Sequence, residues 1–98
     1  MIRIVLPQHL RTLARITNEV QLNVEGPATL QIIFDELETH FPMLKGTIRD
    51  HVTQQRRPYL RFFACGKDIS HESFDFLLPE EITSGEKPFM IIGAIAGG

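Results

Sequence analysis

Several things are scarce in this sequence, and each shortage excludes something. There is one cysteine, Cys65, in 98 residues. No internal disulfide can form, and a reduced, cytoplasmic compartment is expected. Positive charge is not in excess: ten Lys and Arg stand against twelve Asp and Glu, for a net charge of −2. Nucleic acid is therefore not the expected partner, because phosphate binding needs a surplus of basic side chains on one face. No apolar run is long enough to span a bilayer. The opening MIRIVLPQ has one Arg and a short apolar stretch, so neither a signal peptide nor a membrane segment is expected. Glycine is never clustered ahead of a helix. GPAT and CGKD are isolated glycine turns, unlike a phosphate-binding loop, so the chain is not expected to bind ATP itself. The four histidines, His9, His40, His51 and His71, never fall four residues apart. They read as surface residues, and no metal site is expected.

What is present suits one soluble domain. The chain is 43% hydrophobic and 22% charged, ordinary values for a globular protein, and it is long enough to bury a single core. Residues 1–6 alternate, with Ile2, Ile4 and Leu6 opposite Arg3 and Val5, which predicts a strand. Residues 7–17 read as a loop or one helical turn. Val20, Leu22 and Val24 alternate with Gln21 and Asn23 in a second strand. Leu30, Ile33, Phe34, Leu37 and Phe41 share one helical face, with Thr29 as the cap and Pro42 as the stop. Thr47 and Asp50 have a capping-like spacing that predicts a second, shorter helix at 47–52. QQRRP reads as a polar loop in which Arg56 and Arg57 are solvated, or meet an acidic partner. YLRFFA at 59–64 predicts a third strand, turned by CGKD, where Cys65 is expected to be a turn thiol and not a nucleophile. A short strand is expected near 74–78 and a turn at 84–88. PFMIIGAI at 88–95 is apolar almost throughout, as in a strand buried on both faces at the centre of a sheet.

This order predicts an α+β fold of the β-grasp, or ubiquitin-like, kind: a mixed four- or five-stranded sheet with one main helix on one face. The expected division is a domain over 1–94 and a flexible Gly-Gly tail over 95–98. One helical layer leaves one sheet face bare. Phe62 and Phe63 are adjacent and must point to opposite faces; Met90 and Ile92 oppose Phe89 and Ile91 in the same way. The candidate partner-facing surface is therefore drawn from Phe62, Phe63, Phe89, Met90, Ile91 and Ile92. The alternative is that the irregular 66–84 segment folds over it.

An apolar last strand followed by Ala96-Gly97-Gly98 resembles the MoaD/ThiS family of ubiquitin-like sulfur carriers. LPQHLRTLAR at 6–15, TLQIIFDELETHFPMLKGTIRD at 29–50, YLRFFACGKDI at 59–69 and SGEKPFMIIGAIAGG at 84–98 resemble, in turn, that family's first loop, helix, third strand with its turn, and last strand with its tail. The chain departs from the pattern in three places. Cys65 stands where the turn usually has Asn, Ser84-Gly85-Glu86-Lys87-Pro88 replaces an Asp-Gly-Asp-like turn, and no Pro precedes the Gly-Gly.

The resemblance implies a carrier and not an enzyme. A partner adenylating enzyme, using ATP and Mg²⁺, would activate the Gly98 carboxylate. A sulfur donor would then convert it to a thiocarboxylate, and a sulfur-accepting synthase would receive the sulfur. Ile95, Ala96, Gly97 and Gly98 are the residues expected to enter the partner's active site. Fully extended, four residues reach about 13 Å. Delivery to molybdopterin synthesis ranks first among the acceptors, since the chain resembles the family's longer members; cysteine and thiamine-thiazole synthesis are the others. Two further readings remain open. One is a protein modifier joined through Gly98 to a lysine, and the other is a non-covalent binding module that uses the bare sheet face.

Overall fold

In the computed structural model, residues 1–93 are described. The expected tail and the last residue of the expected domain, Ala94, lie outside them. Nine elements follow in order: β1 (Ile2–Val5), α1 (Gln8–Ala14), β2 (Val20–Leu22), α2 (Leu30–His40), a 3₁₀ turn (Pro42–Leu44), β3 (Leu60–Ala64), β4 (Lys67–Asp68), α3 (Glu80–Thr83) and β5 (Phe89–Gly93). Among the described residues the strands form one five-stranded sheet in the order β2-β1-β5-β3-β4. β1 and β5 run parallel; the other pairs are antiparallel. This is the β-grasp arrangement that the order of elements predicts, with β5 central.

α2 forms where its pattern places it. Thr29 Oγ1 accepts the Ile32 N–H at 3.3 Å, which caps the first turn. Leu30, Ile33, Phe34 and Leu37 are fully buried. Phe34 meets Phe62 of β3 at 4.9 Å and Phe89 of β5 at 6.2 Å between ring centroids. These rings tie the helix to the two central strands, and area burial is the main stabilising term in such a core.

Five local expectations are corrected. Residues 8–14 form a helix of nearly two turns, because Leu10 and Ala14, four apart, both reach the core. Residues 47–52 are not helical. Asp50 accepts the N–H groups of Val52 and Thr53 at 2.8 and 2.9 Å, but this closes a turn, and Arg49 then bridges to Arg56 as in a small hairpin. The two arginines at 56 and 57 are not a solvated loop. Arg56 donates to the carbonyls of Ser70, Leu60 and Arg57, and Arg57 to that of Gly46 at 2.8 Å. The segment near 74–78 makes a single bridge, Thr29 with Leu77, in place of a strand. Finally, β5 is not buried on both faces: Phe89 and Ile91 are buried, and Met90 and Ile92 are exposed.

Among the described residues Arg49 is the one buried charge. Its side chain is 3% exposed and donates to Glu38 at 2.9 Å and Asp35 at 2.6 Å on α2. It also stands 5.8 Å over the Phe34 ring. Burial works against this guanidinium, but the hydrogen bonds it donates to Glu38 and Asp35 prevail and raise its pKa.

Candidate functional site

The alternation along β5 builds the site. Phe89 and Ile91 point under α2. Met90 and Ile92 point to the opposite face, 36% and 40% exposed. Register then decides their neighbours. Met90 stands between Val5 of β1 and Phe63 of β3, and Ile92 stands opposite Arg61. Directly opposed residues share a sheet face, so Val5, Phe63, Met90 and Ile92 form an apolar strip across three strands.

Charges border the strip. Arg3 is held by Glu19 at 2.8 Å and by the Gly85 carbonyl at 3.1 Å. Hydrogen bonding from Arg3 lowers the Glu19 pKa. Arg61 reaches Asp68 and the His71 ring, each at 3.4 Å. The Asp68 carboxyl is lowered by hydrogen bonds from Ser70, with Arg61 adding to the effect. The Gly85 carbonyl can serve Arg3 because that turn lies tight on β1. Gly85 has φ +85°, and a Cβ there would meet the Met1 carbonyl oxygen at 2.7 Å. Only glycine fits, both in conformation and in space.

Where β5 ends, the strip deepens into an open groove of about 650 Å³, lined by Val5, Pro7, His9, Tyr59, Met90 and Ile92 among others. Its walls are mostly apolar. Gly93 forms its end: a Cβ there would stand 3.2 Å from His9 Cε1 and 3.5 Å from Pro7 Cβ. A side chain at 93 would crowd Pro7 of the β1–α1 connection and His9 of α1.

The six residues of the expected partner surface therefore divide. Phe62, Phe89 and Ile91 are core residues, 0%, 0% and 1% exposed, and are withdrawn from that surface. Phe63, Met90 and Ile92 lie on the open face. The 66–84 segment does not fold over it. Phe74 packs on Phe34 at 5.3 Å, and the Phe74 and Phe76 carbonyls accept the Gln31 and Leu30 N–H groups at the start of α2. Val5, Pro7, His9 and Tyr59 were not foreseen as site residues. Val5 had a signal, since it opposes Ile2 and Ile4; His9, in the first turn of α1, and Tyr59, just ahead of β3, had none. Ile95, Ala96, Gly97 and Gly98 lie outside the described residues.

Among the described residues no cluster of three His, Cys, Asp or Glu side chains is placed to hold a metal. Among them, too, no helix is long and apolar enough to cross a membrane. The arrangement leaves an apolar sheet face exposed at Met90 and Ile92.

No family model matches the chain, and no curated protein sequence matches it. Two solved structures resemble it. SAMP1 from Haloferax volcanii superposes with a TM-score of 0.70 at 15% identity, over 99% of this chain and 98% of that one. A second structure, of H. volcanii small archaeal modifier protein 1, gives 0.67 at 14% identity, over 96% and 97%. At these identities the likeness is one of fold: the chain has the ubiquitin-like β-grasp architecture across nearly its whole length.

Proposed function

We propose that the chain is a ubiquitin-like carrier that acts through the α-carboxylate of Gly98. The observation that carries this reading is the position of β5. It is the central strand, it ends at Gly93 beside an apolar groove, and the sequence then runs Ala-Ile-Ala-Gly-Gly. A partner seated on Val5, Phe63, Met90 and Ile92 would receive those residues directly.

A free carboxylate is a poor electrophile. The partner adenylating enzyme would join it to AMP from Mg-ATP, releasing pyrophosphate. A sulfur nucleophile then attacks the acyl carbon and AMP leaves, which gives a thiocarboxylate ready for transfer to a sulfur-accepting synthase. Residues 97 and 98, having no side chains, fit a channel closed tightly on the backbone. The molybdopterin pathway is the first acceptor to try, followed by cysteine and thiazole synthesis.

A second reading is favoured by the structural neighbours, one of which is named a small archaeal modifier protein. In it the same adenylate is attacked by a lysine ε-amine, and an amide joins Gly98 to a target protein. Both readings require adenylation. The test is ATP–pyrophosphate exchange by a candidate adenylating enzyme from the same genome. Exchange that depends on this chain, and is lost when Gly97 and Gly98 are deleted, supports the proposal. If deletion leaves exchange unchanged, the tail reading fails and the chain is a non-covalent module. High-mass adducts in cell extract separate modifier from carrier.

A further inference from the structure

The hairpin between the 3₁₀ turn and β3 sets two arginines face to face. The Asp50 N–H donates to the Gln55 carbonyl at 2.8 Å, and the Arg57 N–H to the Ile48 carbonyl at 2.9 Å. Arg49 and Arg56 therefore oppose each other as a non-hydrogen-bonded pair, the kind in which side chains approach most closely. Like charges so placed are unfavourable, and the protein meets each guanidinium only in part. Arg49 uses Nε and Nη2 on Glu38 and Asp35. Arg56 has no carboxylate partner among the described residues. Its Nε donates to the Ser70 carbonyl, and its Nη1 to those of Leu60, Arg57 and Pro58.

That leaves Arg49 Nη1 and Arg56 Nη2. Among the described residues neither nitrogen makes a hydrogen bond, and neither is sealed from water. Both arginines line a single cavity of about 680 Å³, between this hairpin, the start of α2 and the loop after β4. The Arg49 side chain is only 3% exposed, and the cavity it lines is where it meets water. Gln31, Gln54 and Gln55 line the same cavity, and their amides add uncharged donors. Glu72 is the one carboxylate in the lining, and it is exposed.

We propose that this cavity binds the phosphoryl group of a small organic molecule. A phosphate monoester carries close to two negative charges at neutral pH. Its tetrahedral oxygens can accept from two guanidiniums that approach from different strands. A planar carboxylate suits a single guanidinium fork instead, and neither fork is open here, since Arg49 and Arg56 each offer one terminal nitrogen. The anion would bridge the pair and offset their repulsion. The cavity is larger than a phosphate ion needs and falls in the range of small-molecule sites. The side-chain amides and the partly buried Phe74 ring are there for the rest of the molecule. The site shares no lining residue with the β5 groove and stands whether or not Gly98 is activated.

The test is a titration of the ¹⁵N-labelled full chain with ribose 5-phosphate, and separately with inorganic phosphate, at constant ionic strength. The Nε–Hε signals of Arg49 and Arg56 and the amides of 54–56 and 70–72 should shift and saturate. Ribose 5-phosphate should saturate them at the lower concentration, and ribose should move none of them. Glu72→Gln, at an exposed position, should tighten binding about two- to fivefold by removing the opposing charge. Arg56→Gln should weaken it at least about tenfold in a chain whose amide spectrum stays dispersed. The proposal is overturned if millimolar ribose 5-phosphate gives no saturable shift, or if sodium chloride gives the same shifts, which would mark them as charge screening only. It is equally overturned if the two phosphates bind alike, or if Glu72→Gln leaves the affinity unchanged. A phosphoserine peptide that binds more tightly than ribose 5-phosphate would also overturn it, and would assign the cavity to a partner protein.

Discussion

Replacing Met90 and Ile92 together by alanine should separate docking from folding. Both side chains already bury part of their surface in the sheet. The remaining 36% and 40% is what a partner could cover. Full burial of such a side chain is worth about 1.5–3 kcal/mol, so the uncovered part is worth about 0.6–1.2 kcal/mol each. The pair would then contribute about 1–2 kcal/mol to docking, and the double variant should bind the proposed adenylating partner about five- to thirtyfold more weakly. Stability should fall far less than in a core variant. Phe62→Ala or Phe89→Ala, at fully buried positions, should cost about 3–5 kcal/mol, a large share of a small domain's total. The assay is isothermal calorimetry of the double variant against the partner, with a urea melt of each protein. An unchanged Kd in a folded double variant would refute the claim that the open face is the docking surface.

Four further outcomes are expected. Arg49→Ala should destabilise the chain by about 3 kcal/mol, read from the urea midpoint, because it leaves Glu38 and Asp35 without their partner. Cys65→Asn should keep or slightly raise the melting temperature, since Cys65 has φ +54° ahead of Gly66 in the β3–β4 turn and Asn tolerates that conformation better. Glu19, Asp50 and Asp68 all have lowered pKa values: Arg3 acts on the first, the backbone N–H groups of Thr53 and Val52 on the second, and Ser70 on the third. Their contribution is complete above their unfolded values near about pH 4 and is lost as pH falls through the lower folded ones; an acid melt should show stability falling there and flat from pH 5 to 7. Gly98→Ala should leave the melt unchanged and severely reduce transfer, and normal adenylation of that variant would contradict the narrow-channel argument.

The sequence was most legible where the signal is local and repeated. Leu30, Ile33, Phe34 and Leu37 mark α2 because helical period is intrinsic to the chain, and Thr29 and Pro42 punctuate it. β5 was placed centrally for a partly mistaken reason. Its continuous apolar run suggested burial on two faces, whereas Met90 and Ile92 are apolar and exposed; that surplus is what now marks the open face. Arg56 and Arg57 defeated local reading, since an arginine looks solvated until its partners are known, and the Ser70 and Gly46 carbonyls they reach lie fourteen and eleven residues away. His9 reaches the groove from the first turn of α1, and Tyr59 from the connection ahead of β3. The strip itself follows from register, which no single segment contains.

The central claim, that Gly98 carries the chemistry, is tested most directly by intact mass. The native chain would be incubated with a candidate adenylating enzyme, Mg-ATP and a sulfide source, beside a chain lacking Gly97 and Gly98. The account predicts a mass gain equal to one oxygen exchanged for sulfur, localised to Gly98 and absent from the truncated chain. An unchanged mass with an enzyme shown to be active, or the same gain in both chains, would contradict it.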